Sequence, residues 1–323
     1  MLVLGINGSP RKKSNSGFLL DAFLAEAAKL GSEVALIDVP RRDIRPCMEY
    51  TVCEKRGTCP IDDDMAAEGY TLLRRADVVV VATPVFFYNM SAQLKALVDR
   101  CQTLWARKYV LKLRDPARHY RRGHLLSVGA TRGKNLFDAI ELSMRYFFDA
   151  LSAGYAGALT YRGIEKIGDM QRHAGVHDDI RRAVSEVVGP LAGRRKVLFV
   201  SRADACRSQM AAALARDMAG EELDVESAGW QPAEAVSDAM VAAMQAEGID
   251  MGFLRPRSLE EAFGGRPADL MVVLGSHPES VASTAAETVH WEIGVDPAAS
   301  VEVVARMRQD IAVRVRELVE KAK

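Results

Sequence analysis

Short apolar runs rich in Val, Leu and Ile alternate with segments of helical periodicity along the whole chain, and no other feature narrows the possible folds as far. Parallel strands can be joined only by a long crossover, usually a helix, so this alternation predicts parallel sheets covered by helices. In the first half the strands fall at Leu2 to Ile6, Glu33 to Val39, Asp77 to Pro84, His124 to Thr131 and Tyr155 to Tyr161. Helical patterns occupy Ser16 to Leu30, Ala92 to Trp105, Leu136 to Leu151 and Gln171 to Val188.

The alternation is interrupted at Val188-Gly189-Pro190-Leu191-Ala192-Gly193-Arg194-Arg195, where Gly, Pro and Gly follow one another closely. A chain of 323 residues exceeds what one core usually holds, so two domains are expected, 1–188 and 196–323, with 189–195 as linker. Five strands with intervening helices predict a flavodoxin-like, doubly wound α/β domain, whose ligand lies beyond the carboxyl ends of the strands. The second half predicts a smaller α/β domain with a parallel sheet. Its strands lie near Lys196 to Val200, Leu223 to Ala228, Asp269 to Leu274 and Val289 to Ile293, its helices at Cys206 to Met218, Ser237 to Glu247 and Ser300 to Lys321.

Apolar runs such as Val78 to Ala82 are far too short to span a bilayer, and Met1 leads directly into a strand, so a cytoplasmic protein without membrane partners is expected. Basic and acidic residues balance at 43 each, with a modest basic excess before the linker and a matching acidic excess after it. That balance argues against a nucleic-acid partner; the basic run from Arg107 to Arg122 suits a solvated face or a phosphorylated ligand. Three of the five cysteines, Cys47, Cys53 and Cys59, crowd into one segment, which favours free thiols, metal or redox chemistry over disulfides.

Strand one ends in Gly5-Ile6-Asn7-Gly8-Ser9-Pro10-Arg11-Lys12-Lys13-Ser14-Asn15-Ser16, directly before a helix. Hydroxyl and amide side chains at a helix N-terminus suit a phosphate, and equally suit a plain helix cap. The loop lacks both G-x-G-x-x-G and G-K-[ST], so it is neither the usual dinucleotide fingerprint nor a Walker loop. After strand three comes Thr83-Pro84-Val85-Phe86-Phe87-Tyr88-Asn89-Met90-Ser91, and after strand four Gly129-Ala130-Thr131-Arg132-Gly133-Lys134; aromatic and polar loops beside a phosphate loop suit a flat ring. With Leu94-Lys95, Asp99-Arg100 and Cys59-Pro60-Ile61-Asp62-Asp63-Asp64-Met65, these motifs make residues 1–187 resemble the NADPH-dependent FMN reductases, especially the iron-sulfur flavoprotein branch.

The resemblance implies that Ser9, Arg11, Ser14, Asn15 and Ser16 hold the FMN phosphate. Pro84, Val85, Phe86, Phe87, Tyr88 and Asn89 would line the ribityl chain and ring, and Thr131, Arg132 and Gly133 would reach the pyrimidine end. That branch carries four cysteines, whereas Tyr50 stands here in place of the second. A cubane cluster normally takes four thiolates, so Cys47, Cys53 and Cys59 are left as candidate ligands of an iron-sulfur cluster or thiophilic metal, or as thiols without a remaining role.

Beyond the linker, Ser201-Arg202-Ala203-Asp204-Ala205-Cys206-Arg207-Ser208 joins a strand to an Ala-rich helix. Together with Ser227-Ala228-Gly229, Glu247-Gly248-Ile249-Asp250, His290-Trp291 and Asp296-Pro297, it resembles the low-molecular-weight protein tyrosine phosphatases and thioredoxin-coupled arsenate reductases, whose loop reads C-x5-R-S. That resemblance implies an oxyanion loop of Ser201, Cys206, Arg207 and Ser208, with Asp296 at the general acid. Ser201 replaces the nucleophilic cysteine, Asp204 replaces an asparagine, and the region of the relay thiols reads Gly275-Ser276-His277-Pro278-Glu279-Ser280. Serine ionises far less readily than a cysteine at a helix N-terminus, and the motif offers it no neighbouring base, so family-type catalysis is expected to fail.

The combined expectation is an FMN-dependent oxidoreductase that takes electrons from NAD(P)H and passes them to a small-molecule acceptor: a flavin, quinone, metal ion or organoarsenical. No catalytic side chain is assigned, since the flavin carries the chemistry. The second domain would bind an oxyanion or regulate, and kinship with flavin reductases implies a homodimer or homotetramer. The rival expectation is a non-catalytic flavin-based redox sensor or scaffold whose phosphatase-like domain binds a partner.

Overall fold

The computed structural model describes residues 1–263, 266–276, 285–294 and 300–322. Asp296 and the stretch from His277 to Ser280, both singled out above, lie outside the described residues. The chain divides into two compact units, one of residues 1–112 and 120–192, the other of residues 113–119 and 193–323. Among the described residues no helix is long and apolar enough to cross a membrane.

In the first unit β1 (Leu2–Asn7), β2 (Glu33–Asp38), β3 (Val78–Pro84), β4 (Arg122–Gly129) and β5 (Gly154–Arg162) form one parallel sheet in the order β2-β1-β3-β4-β5. Helices α1 (Asn15–Lys29), α2 (Val52–Arg56), α3 (Tyr70–Arg75), α4 (Ala92–Arg100), α5 (Gln102–Tyr109), α6 (Asp138–Ala150), α7 (Asp169–Arg172) and α8 (Val176–Val187) connect and cover it. This strand order is that of the flavodoxin-like fold, with its switch point between β1 and β3. Both faces of the central strands are covered, so Leu2, Val3, Leu4, Ile6 and Val78 to Ala82 are all buried, which is why these strands read as continuous apolar runs. Edge strand β2 alternates instead, leaving Val34 and Leu36 exposed.

The second unit holds β6 (Arg195–Ser201), β7 (Leu223–Gly229), β8 (Ala268–Leu274) and β9 (Ala285–Trp291), parallel in the order β7-β6-β8-β9. Its helices are α9 (Arg207–Ala219), α10 (Asp238–Gln245), α11 (Leu259–Phe263) and α12 (Val301–Ala322). Met210, Leu214, Met240, Met244, Ile311 and Val315 pack on Val197, Phe199 and Val272, while Ala262 covers Leu198, Val200 and Met271 on the other face. The two sheets share a device at their starts. Asp77 accepts the N–H of Leu2 at 2.7 Å, and Asp269 accepts that of Lys196 at 2.7 Å, which satisfies a donor at the beginning of each first strand.

Several elements differ from the sequence-based expectation. The single helix expected over Ala92 to Trp105 is two, because the Tyr70 hydroxyl takes the Arg100 carbonyl at 3.0 Å and the N–H of Leu104 turns to Cys101 at 2.9 Å. A helical stretch from Met65 through α3 was not expected; it opens where Asp63 accepts the Met65 N–H. Strand β9 starts and ends earlier than expected. The expected linker is also partly structured: Gly189–Leu191 is a 3-10 turn within the first unit, and Arg195 already belongs to β6. Residues 113–119 count with the second unit, where Arg114 N–H donates to Gly248 and Asp250 N–H donates back to Arg114.

Between β2 and α3 the chain makes a long excursion that contains the three clustered cysteines. It is fastened to α4 by Arg100, whose guanidinium pairs with both oxygens of Asp63 and also donates to the carbonyls of Arg45 and Ile61. Both side chains of the pair are fully buried. Burial works to raise the Asp63 carboxyl, but the Arg100 guanidinium and backbone donors hold it below its ordinary value. Removing one partner leaves the other charged and buried, at a cost of about 3–5 kcal/mol. Asp63→Ala or Arg100→Ala should therefore destabilise the chain by that amount in denaturant unfolding. Lys95→Ala, which removes an exposed partner of Asp99, should cost less than ~1 kcal/mol.

Candidate functional site

The loops after β1 and β3 meet at the switch point, where a cavity of about 250 Å³ opens. Ser9, Arg11, Ser14, Asn15, Ser16, Pro84, Val85 and Phe86 line it, joined by Val128, Ala130, Ile164 and Glu165, which sequence reasoning did not select. At the N-terminus of α1, Ser14 caps the helix by accepting the Gly17 N–H at 2.9 Å. The first turn itself carries no acidic residue, so the helix dipole favours negative charge there. Ser16 is completely buried and its Oγ has no hydrogen-bond partner in the protein. A buried hydroxyl in that condition is costly, and an anion at the helix terminus would satisfy it.

Asn15 lines the same cavity, but its carboxamide is committed elsewhere. Nδ2 donates to the Lys166 carbonyl at 2.9 Å and Oδ1 accepts from the Met170 N–H at 3.2 Å, so it ties the loop after β5 to α1. Gly8 allows the loop after β1 to lie against α4, since a Cβ there would stand 2.9 Å from Leu94.

Phe86 and Asn89 exchange backbone hydrogen bonds of 2.7 and 2.9 Å, closing a turn whose central residues Phe87 and Tyr88 have φ of 49° and 62°. Two left-handed residues define a type I′ turn, normally built from Asn and Gly, so two aromatics there are strained. The Phe87 ring is fully exposed, whereas the Tyr88 hydroxyl lies against Gly133, where any side chain would collide with it. Phe87, Tyr88, Asn89, Thr131, Arg132 and Gly133 are not among the residues that line the cavity. Arg162 holds this neighbouring loop by donating to the carbonyls of Gly133 and Lys134.

Cys47, Cys53 and Cys59 share the wall of a second cavity, of about 390 Å³, with Tyr50 and Arg100. Yet among the described residues no group of three or more His, Cys, Asp or Glu is gathered closely enough to hold a metal ion. Cys47 is exposed before α2, Cys53 sits on α2, and Cys59 follows the left-handed Gly57, so the three thiols face the cavity from separate stretches. Burial, and then the neighbouring Cys59 and Cys47, push the Cys53 thiol up. This donor set does not fit a four-thiolate cluster, because the second position is Tyr50 and the remaining thiol of the first unit, Cys101, is buried away from the cavity.

In the second unit, the loop after β6 runs into α9. The carbonyls of Arg202, Ala203 and Ala205 accept the N–H groups of Gln231, Ala233 and Ser237 at 2.8 to 2.9 Å, which draws them out of the loop. Gly229 lets β7 approach so closely that a Cβ would stand 2.8 Å from the Asp204 nitrogen. Asp204 itself is left-handed, with φ of 47°, and wholly buried. Its Oδ1 accepts from Ser208 Oγ at 2.7 Å, and Oδ2 from Gln209 Nε2 at 3.0 Å and the Arg257 N–H at 2.9 Å. Burial raises its carboxyl to about 6, although Ser208, the Arg257 N–H and Ser227 pull it down.

Ser201 Oγ lies 2.8 Å from Ser208 Oγ. The carboxylate of Asp204 does not touch Ser201 but lies two hydrogen bonds away, through Ser208. Arg207 donates to the Ile293 carbonyl at 2.6 Å. The half-buried Cys206 thiol is pushed up to about 11 by burial.

Comparison with known proteins assigns each half separately. The family described as NADPH-dependent FMN reductase matches residues 1–159, and that described as low molecular weight phosphotyrosine protein phosphatase matches residues 196–295. The chain is 38% identical over 132 residues to an iron-sulfur flavoprotein of Methanosarcina thermophila, covering 41% of this chain and 65% of that one. It is 33% identical over 147 residues to one of Methanocaldococcus jannaschii, covering 46% and 72%. An arsenate reductase of Brevibacillus brevis is 33% identical over 132 residues, covering 39% of this chain and 96% of its own length. The chain thus spans about two thirds of the length of these flavoprotein relatives.

The thiols should sort by environment. At neutral pH, Cys47, exposed beside the second cavity, should alkylate first, and Cys206, with its raised pKa, at least ~tenfold more slowly. Cys101, buried and pushed far above the usual thiol range, should react only on unfolding, as mass spectrometry of the alkylated peptides would report.

Proposed function

Because the chain belongs to the iron-sulfur flavoproteins of the NADPH-dependent FMN reductase family in its N-terminal half, and to the phosphatase and arsenate reductase family in its C-terminal part, we propose an FMN-dependent NAD(P)H oxidoreductase carrying an oxyanion-binding domain. The observation that carries this reading is the buried, unpartnered Ser16 hydroxyl at the N-terminus of α1, inside a cavity at the switch point of the sheet. Ser9, Arg11, Ser14 and Ser16 would hold the phosphate, with Asn15 keeping α1 and the loop after β5 in register. Pro84, Val85 and Phe86 would flank the rest of the cofactor, with the Tyr88 and Gly133 contact steadying the loops beside it. Bound FMN would supply hydride and electron transfer between NAD(P)H and a small-molecule acceptor.

Rapid anaerobic bleaching of flavin absorbance by NADPH or NADH is the expected behaviour. A flavin that neither nucleotide reduces would refute the oxidoreductase reading. The phosphate assignment has its own test. Charge-assisted hydrogen bonds are worth roughly 1.5 to 3 kcal/mol each, so Arg11→Ala with Ser16→Ala should weaken FMN binding at least tenfold. Riboflavin, which has no phosphate, should bind nearly as before, and equal losses for both would refute the assignment.

The second domain is proposed to bind a tetrahedral oxyanion without turning it over. Attack in this family needs a thiolate under the anion. Ser201 keeps its proton, because an Asp204 carboxylate with a pKa of about 6 is far too weak a base to generate an alkoxide through Ser208. The parent protein should leave an aryl phosphate unhydrolysed. Ser201→Cys, alone or with Asp204→Asn, should introduce activity. Parental activity that vanishes in Ser201→Ala would overturn this reading.

A further inference from the structure

The buried carboxylate behind the loop after β6 sets the direction of the hydrogen bonds around it. An ionised carboxylate accepts only, and a serine hydroxyl has one hydrogen. Ser208 therefore gives its hydrogen to Asp204, and the 2.8 Å contact between the two serines must be donated by Ser201. Gln209 and the Arg257 N–H also donate to Asp204, so nothing around it calls for a donor such as an amide would provide. Ser201 is 3% exposed, and with its hydrogen directed backwards its Oγ can offer the loop only lone pairs.

We infer that the loop selects a tetrahedral oxyanion that still carries a proton, such as hydrogen phosphate or hydrogen arsenate, over one that carries none, such as sulfate. The inference rests on reading this loop as an oxyanion site. A P–O–H or As–O–H group can donate to Ser201 Oγ, while a sulfate oxygen in the same place meets an acceptor with a carboxylate behind it. Sites built to pair with a hydroxyl reject analogues lacking it strongly, because a buried polar group is then left unpaired. The Ser201 and Asp204 replacements are coupled in this view: the carboxylate orients Ser208, Ser208 orients Ser201, and the serine becomes a reader of protonation in place of a nucleophile.

Calorimetric titration of the full chain, saturated with FMN and held at about pH 8, where Asp204 is ionised, would compare inorganic phosphate with sulfate. Phosphate should bind at least tenfold more tightly. Ser208→Ala frees the Ser201 hydrogen to turn into the loop, and Asp204→Asn removes the charge. Each should raise sulfate affinity until the two anions differ by less than about threefold. Ser208→Ala tests the point even if the Asp204 variant fails to fold. Equal binding of both anions by the parent, a preference for sulfate, or an unchanged preference in Ser208→Ala would overturn the selection. No binding of either anion by the parent or the variants would overturn the oxyanion reading itself.

Discussion

In a sheet made only of parallel strands every connection must cross back over a face, so the carboxyl ends of all strands emerge along one edge. Both units obey this constraint, and it decides where chemistry can be placed in each. In the first, the loops after β1 and β3 meet at the switch point around the cavity lined by Ser9, Ser16 and Phe86. In the second, β6 occupies the equivalent place beside β8, and the loop that follows it carries Ser201 to Arg207. The two loops therefore share a plan: each follows a strand buried on both faces and leads into the N-terminus of a helix.

Around that plan the units differ in what holds the loops. The cysteine excursion of the first depends on one buried ion pair, Arg100 with Asp63, whose guanidinium also collects two carbonyls of the excursion. A fully buried pair offers little net stability over an apolar one but penalises every arrangement in which either charge is alone. The excursion is thereby held in register on α4, although among the described residues its three thiols form no group close enough to hold a metal ion. In the second unit the corresponding role falls to Asp204, which gathers Ser208, Gln209 and the Arg257 backbone.

Burying a carboxylate where the related loops carry an amide is costly, and the pKa of Asp204, raised by that burial, expresses the cost. The loop tolerates it because four donors face the carboxylate, counting Ser227. With Ser201 where the related loops carry a cysteine, this network is what the proposed reading of the loop as a site of recognition rests on.

Periodicity and composition alone determined the two-part α/β architecture, because covered parallel strands must read as apolar runs separated by crossover helices. That polar loops at Ser9 to Ser16 and Ser201 to Ser208 enter helices was legible for a similar reason: helix N-termini use few residue types. Tertiary structure decided what depends on distant partners. It broke the Ala92 to Trp105 helix through Tyr70, committed the Asn15 carboxamide to Lys166 and Met170, and set Phe87 and Tyr88 in a strained turn. It also linked Asp204 to Ser201, a connection that the motif read along the chain does not show, because the link runs through a third side chain and closes only when β6, β7 and α9 are packed together.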